Sequence, residues 1–147
     1  MDDPFHLQRF VDAQRPVFEQ VLRELRAGRK QSHWIWFIFP QLMGLGYSSN
    51  AEFYGIASAE EAAAYLHHPV LGQRLRDCTA LVNAVHGKAI QQILGTPDDI
   101  KFRSSMTLFA RVASTLFGRV APENEIFRAA LEKYFDGVED PATIRIF

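Results

Sequence analysis

The chain has one cysteine, Cys78, so no intrachain disulfide can brace it. It has almost no net charge: sixteen lysines and arginines face seventeen aspartates and glutamates, a formal charge of -1. That balance removes the long-range attraction on which a general nucleic-acid or anionic-membrane binder relies. No apolar run approaches the roughly twenty residues of a membrane span. The start, Met1-Asp2-Asp3-Pro4, is acidic where a secretory signal is basic and then apolar. No repeat, low-complexity tract or Gly/Ser/Pro linker divides the chain, and the seven prolines stand singly beside helix-start signals. These absences imply one domain over residues 1–147 in a reducing, cytoplasmic setting, with neither nucleic acid nor membrane as partner.

What is present is a 48% apolar composition arranged at helical spacing. A chain of this length buries roughly two-thirds of its unfolded surface. Asp3-Pro4 reads as a helix start ahead of Leu7, Phe10 and Val11, and Pro16 opens a second helix that Gly28 stops. Trp34 to Phe39 is apolar on both faces of either a helix or a strand, and we read it as a short helix. Gln41 to Tyr54, rich in glycine and serine, reads as a loop. Ser58 with Glu61 forms a capping box, Pro69 opens a helix with the core stripe Leu71, Leu75, Cys78, Val82 and Val85, and a brief helix covers Ile90 to Leu94. Thr96-Pro97-Asp98-Asp99 then begins a helix whose Phe102, Met106, Phe109, Ala113 and Leu116 face the core. A last long helix runs from about Pro122 to Gly137, and Asp140-Pro141 opens a terminal turn. Strand-type alternation is nowhere sustained, so the expected architecture is all-α (mainly α), a single-domain bundle of about six to eight short helices.

The densest chemistry lies in Gly28 to Gln41. Arg29, Lys30 and His33 offer donors for phosphate or carboxylate just ahead of the aromatic run, and Trp34 and Trp36 could stack a flat ring. The same residues also fit a structural role, the cations complementing the preceding helix C-terminus and the tryptophans filling the core. A second decoration sits at the margin of the Asp98 helix, where Asp98, Lys101 and Ser105 share one edge of the apolar stripe. Together Arg29, Lys30, His33, Trp34, Trp36, Gln41, Lys101 and Ser105 are the expected ligand-binding residues, and His33 and Asp98 the catalytic candidates. His33 is a candidate because an imidazole is the side chain suited to exchange a proton near neutrality, whereas Asp98 is first explained by the helix N-terminus. No His, Cys or carboxylate set has metal-ligand spacing, Gly44-Leu45-Gly46 lacks a dinucleotide fingerprint, and Ser104-Ser105 lacks a hydrolase elbow. Neither a metal nor a cofactor is expected.

Several blocks carry a resemblance: Phe10-Val11-Asp12-Ala13-Gln14, Gly28 to Gly46, Glu61-Ala62 with Tyr65-Leu66, His68-Pro69-Val70-Leu71-Gly72, and Pro97-Asp98-Asp99 through Ser104-Ser105-Met106-Thr107-Leu108-Phe109. In these the chain resembles the bacterial family called Domain of Unknown Function 1810, sometimes labelled calpastatin-like. The resemblance implies a small, mostly helical domain and no particular activity. Its pattern carries a basic residue where this chain has Gln31, which weakens an anion site at Arg29 and Lys30. The calpastatin label does not fit, since such an inhibitor is long, polar and disordered. In order of elements, an acid-bearing helix near Glu61 and a later Lys-x-x-Ser-x-Met helix, the chain is also similar to the NADAR group of N-glycosidases.

Three functions therefore compete. The first is binding of a flat, anionic, nucleotide-like metabolite between the Arg29 to Gln41 segment and the Asp98, Lys101, Ser105 margin. The second is N-glycosidic hydrolysis of an ADP-ribose-like or riboflavin-pathway compound, with Asp98 or Glu61 stabilising an oxocarbenium-like state and Arg29, Lys30 or Lys101 holding phosphate. The third is a protein interaction module that docks through an exposed aromatic segment.

Overall fold

One helix is enclosed by the others. The computed structural model describes residues 2–115 and 119–147, and in chain order it contains α1 (Gln8–Gln14), α2 (Phe18–Arg26), the single turn α3 (Ile35–Ile38), α4 (Ser49–Phe53), α5 (Ala59–His67), α6 (Leu71–Asn83), α7 (Ile90–Leu94), α8 (Asp98–Thr115), a 3-10 turn at Pro122–Asn124, α9 (Ile126–Phe135) and α10 (Pro141–Ile146). The longest, α8, packs against α3, α5, α7, α9 and α10. Six helices have seven residues or more, as the periodicity predicts. The total exceeds the expected six to eight because the Gln41 to Tyr54 loop folds a turn of helix, capped by Ser48 Oγ accepting from Ala51 N at 3.1 Å, and the terminal turn closes as α10. Among the described residues there is no strand, only a parallel bridge in which Met43 N donates to Ile56 O and Ile56 N to Gln41 O, both at 2.8 Å.

Helix starts follow the polar residues, though not always at the expected register. Asp3 caps α1 from a distance: its carboxylate accepts from Leu7 N at 2.8 Å and Gln8 N at 3.0 Å, across a turn containing Pro4. His68 caps α6, its Nδ1 accepting from Val70 N and Leu71 N. At α5 Ser58 accepts from Glu61 N at 3.1 Å, but the Glu61 carboxylate leaves the capping box for Ala57 N and the Arg9 guanidinium. Arg9 spends all of its donors there, giving Nε to Phe53 O, Nη1 to Phe5 O and His6 O, and Nη2 to Gly55 O and Glu61 Oε2. The pair is nearly water-free and is fully hydrogen-bonded, the condition under which a buried ion pair is tolerated.

The core is a run of aromatic rings around α8. Phe39 meets Phe102 edge-to-face at 4.9 Å, Phe10 meets Tyr65 at 5.0 Å, and Tyr65, Phe109 and Phe127 continue the series. Phe102, Met106, Phe109 and Ala113 face inward as predicted, while Leu116 lies outside the described residues. Because α8 is covered on several sides, its small polar residues are buried too, and some of them do structural work. Ser104 Oγ donates to Asp140 Oδ2 at 2.7 Å and Thr107 Oγ1 accepts from Asp140 N at 2.9 Å, which docks the start of α10. A buried amide, Gln14, ties α1 to Phe37 O and the Tyr65 hydroxyl.

Where α5 meets α6 the backbones nearly touch. A Cβ at Gly72 would stand 2.1 Å from the Leu66 carbonyl oxygen, closer than any side chain allows. Gly72→Ala should therefore destabilise the protein by about 1 to 3 kcal/mol or more in urea unfolding, through forced separation of the two helices. Cys78 lies fully buried in the core stripe, and burial first, with Asp77 adding to it, pushes its thiol up to about 12. A thiol reagent at pH 8 is expected to label unfolded protein readily and native protein only as fast as it opens.

Candidate functional site

The basic and aromatic segment is organised by a residue on α2 that its sequence context conceals. Glu24 is buried, and its Oε1 accepts from Gln31 N at 2.7 Å, Ser32 N at 3.0 Å and Trp34 Nε1 at 2.9 Å. Its Oε2 accepts from Ser32 Oγ at 2.5 Å and Gln20 Nε2 at 2.8 Å. Desolvation alone would raise its pKa, but the donors of Ser32, Gln31 and Gln20 outweigh it and hold the carboxyl at about 2. Lys30 crosses the same knot: its Nζ lies 2.7 Å from Asp98 Oδ2, donates to Ser32 O at 2.6 Å and stands 4.9 Å above the Trp34 ring.

The two decorated segments thus do converge, through Lys30 with Asp98 and through Lys101, whose Nζ sits 5.0 Å over the Trp36 ring. The rest of the expected set is dispersed. Trp34 is buried, Trp36 and Gln41 are half-buried, Arg29 and His33 are exposed, and Ser105 is wholly enclosed rather than marginal. Trp36 and Phe37 are half-buried, because a single helical turn cannot turn every side chain of the apolar run inward. Trp36 Nε1 and Ser105 Oγ are buried without a hydrogen-bond partner. The crevice shared by Trp36 and Gln41 has a volume of about 10 Å³, room for about one water. With Trp34 covered, the segment offers no exposed aromatic patch for docking.

A broad groove lies elsewhere, and sequence reasoning passed over it. It has a volume of about 710 Å³ and is lined by the C-terminal end of α5 (Leu66, His67), Arg76 of α6 and residues 119–124. The close approach at Gly72 brings α6 against the end of α5 and sets Arg76, one turn later, on the groove wall. Arg76 Nη1 donates to Asn124 Oδ1 at 3.3 Å, linking α6 to the 3-10 turn. Among the described residues neither Arg76 nor Arg119 forms an ion pair, and Glu123 is the sole carboxylate of the lining. The available signal was Gly72 itself: a glycine inside a helical stripe marks a close backbone approach. Among the described residues no group of three or more His, Cys, Asp or Glu side chains could hold a metal ion, and no helix is long and apolar enough to cross a membrane.

Comparison with known proteins agrees with the architecture. The model of the family described as protein of unknown function (DUF1810) matches residues 4–147. The chain belongs to this family. A solved relative, the conserved hypothetical protein Rv1873 from Mycobacterium tuberculosis, is 54% identical, with 99% of this chain and 98% of that chain covered at a TM-score of 0.91. No curated protein matches.

The Glu24 knot sets a pH dependence. Its folded pKa is depressed, so its stabilisation is complete above the ordinary carboxyl value of 4.5 and is lost as pH falls toward 2. The full linkage is worth roughly 3 kcal/mol. Glu24→Gln should lose a comparable amount, about 2 to 3 kcal/mol, in urea unfolding at pH 7, and the gap between variant and parent should narrow at pH 3.

Proposed function

We propose that this member of the DUF1810 family binds a small anionic metabolite, and that the groove between α5, α6 and residues 119–124 receives it. The observation that carries the reading is a concavity of ligand size, about 710 Å³, bearing two guanidinium groups that form no ion pair among the described residues. Arginine presents a planar fork matched to phosphate or carboxylate, and it stays charged at every relevant pH. The anionic group is thus what the site recognises. Among the described residues the lining holds no Phe, Tyr or Trp ring, Trp34 and Trp36 included, so the flat aromatic sandwich expected from those two residues is not part of this reading. Neither Asp98 nor Glu61 lines the groove, and each already holds a cation, Lys30 at 2.7 Å and Arg9 at 2.8 Å. No glycosidic step follows from them. We take the setting to be cytoplasmic, since the single free thiol calls for no oxidising compartment.

Thermal unfolding in the presence of inorganic phosphate, pyrophosphate, nucleoside phosphates and sugar phosphates tests the proposal. A specific ligand at a hundred times its Kd should add roughly 2.7 kcal/mol of stability. Arg119→Ala, at an exposed position, should weaken that ligand about tenfold or more while changing the unliganded stability by less than about 0.5 kcal/mol. A panel without any stabilising anion, or a shift that survives loss of both Arg76 and Arg119, overturns it.

A further inference from the structure

We infer that the surface where the C-termini of α2 and α6 meet is a docking site for an acidic peptide segment of a partner protein. It shares no lining residue with the anion groove and is independent of that reading. A second groove, about 400 Å³, runs between these helix ends and is lined by Leu25, Arg26, Gly28, Leu81, Val85 and Lys88 among others. Gly28 leaves α2 with φ of +71°, and a Cβ there would stand 3.3 Å from Val85 Cγ1 and 3.4 Å from Lys88 Nζ, so the floor is tightly closed.

Three cations border this floor, and a fourth follows Gly28 in the chain. Lys88 Nζ donates to Gly28 O at 3.0 Å, and Lys133 Nζ, from α9, donates to Asn83 O at 2.5 Å and Val85 O at 2.7 Å. Arg26 lines the groove and Arg29 follows Gly28 directly. All four are exposed, and among the described residues none of them is in an ion pair. Two helix C-termini present only about half a negative charge each, so the cations exceed what the dipoles need. His86 also lines the groove, and among the described residues the lining contains no carboxylate; Asp77, one turn before Leu81 on α6, is outside it. On a chain of formal charge -1 this is a concentrated positive field.

The chemistry favours a peptide over a nucleic acid. Among the described residues no aromatic ring lines the groove, so an unpaired base finds nothing to stack on, and a chain of almost no net charge supplies no long-range attraction for a long polyanion. The aliphatic wall of Leu25, Leu81 and Val85 instead suits a leucine or valine, with flanking aspartates and glutamates meeting the cations.

Fluorescence anisotropy with a labelled nonapeptide of aspartate and glutamate around a central leucine tests this on the full chain. Saturable binding is expected, weakening about tenfold or more between about 50 and 300 mM salt. The double variant Arg26→Gln, Arg29→Gln alters two exposed side chains, should keep the parent's helical circular dichroism at 25 °C and should lose the peptide. Undiminished binding by that variant, or equal affinity for an oligothymidylate of the same charge, overturns the assignment.

Discussion

A buried carboxylate survives in a folded protein only if its oxygens are met by donors, and Glu24 meets that demand by recruiting a whole segment. Five donors from Gln20, Gln31, Ser32 and Trp34 converge on it, which fixes the turn after α2 and holds the Trp34 indole in the core. The anchored turn in turn aims Lys30 at Asp98 and so joins the first helices to the start of α8. Removing the carboxylate would strand the indole N–H, two backbone N–H groups and a hydroxyl together, a cost no single hydrogen bond conveys.

The same logic repeats at lower stakes around the molecule. Arg9 with Glu61 closes the start of α5 onto α1, and Asp140 with Ser104, Thr107 and Thr143 closes α10 onto α8. In each case a charged side chain gathers backbone and hydroxyl groups from segments that are too short to be stable helices alone. Many short helices around one long one leave many helix ends, and the polar knots satisfy those ends while the aromatic rings fill the space between. Residues rich in chemistry by type are consequently bound up in structure, whereas Arg76 and Arg119 at the α5–α6 groove and Arg26 and Lys88 at the ends of α2 and α6 form no ion pair among the described residues.

Local signals made much of the fold legible. Gly28 stopping α2, Ser58 capping α5, Asp98 and Asp99 opening α8 and Asp140 capping α10 are short-range interactions, decided within a few residues, and the stripe from Leu71 to Val82 is a one-dimensional pattern. Family blocks such as Gly28 to Gly46 pointed to the family that the match over residues 4–147 shows. The convergence of Arg29 to Gln41 with the Asp98 helix was visible as two polar decorations on apolar stripes, and Lys30 with Asp98 and Lys101 with Trp36 do meet.

Tertiary structure alone decided what those meetings are for. Glu24 looks like any acid on an amphipathic helix until the chain brings Trp34 to it, and Ser105 looks marginal until neighbours cover α8 on several sides. Arg76 reads as a solvated residue on α6 until Gly72 lets α5 and α6 close and a groove opens beside them. The physical division is one of range: caps, stops and stripes depend on neighbours along the chain, whereas burial, ion pairing and concavity depend on which distant residues arrive at the same place. The sequence by itself determined the helices and their inward faces; the packing of those helices decided which charges were consumed by the fold and which stayed at its surface.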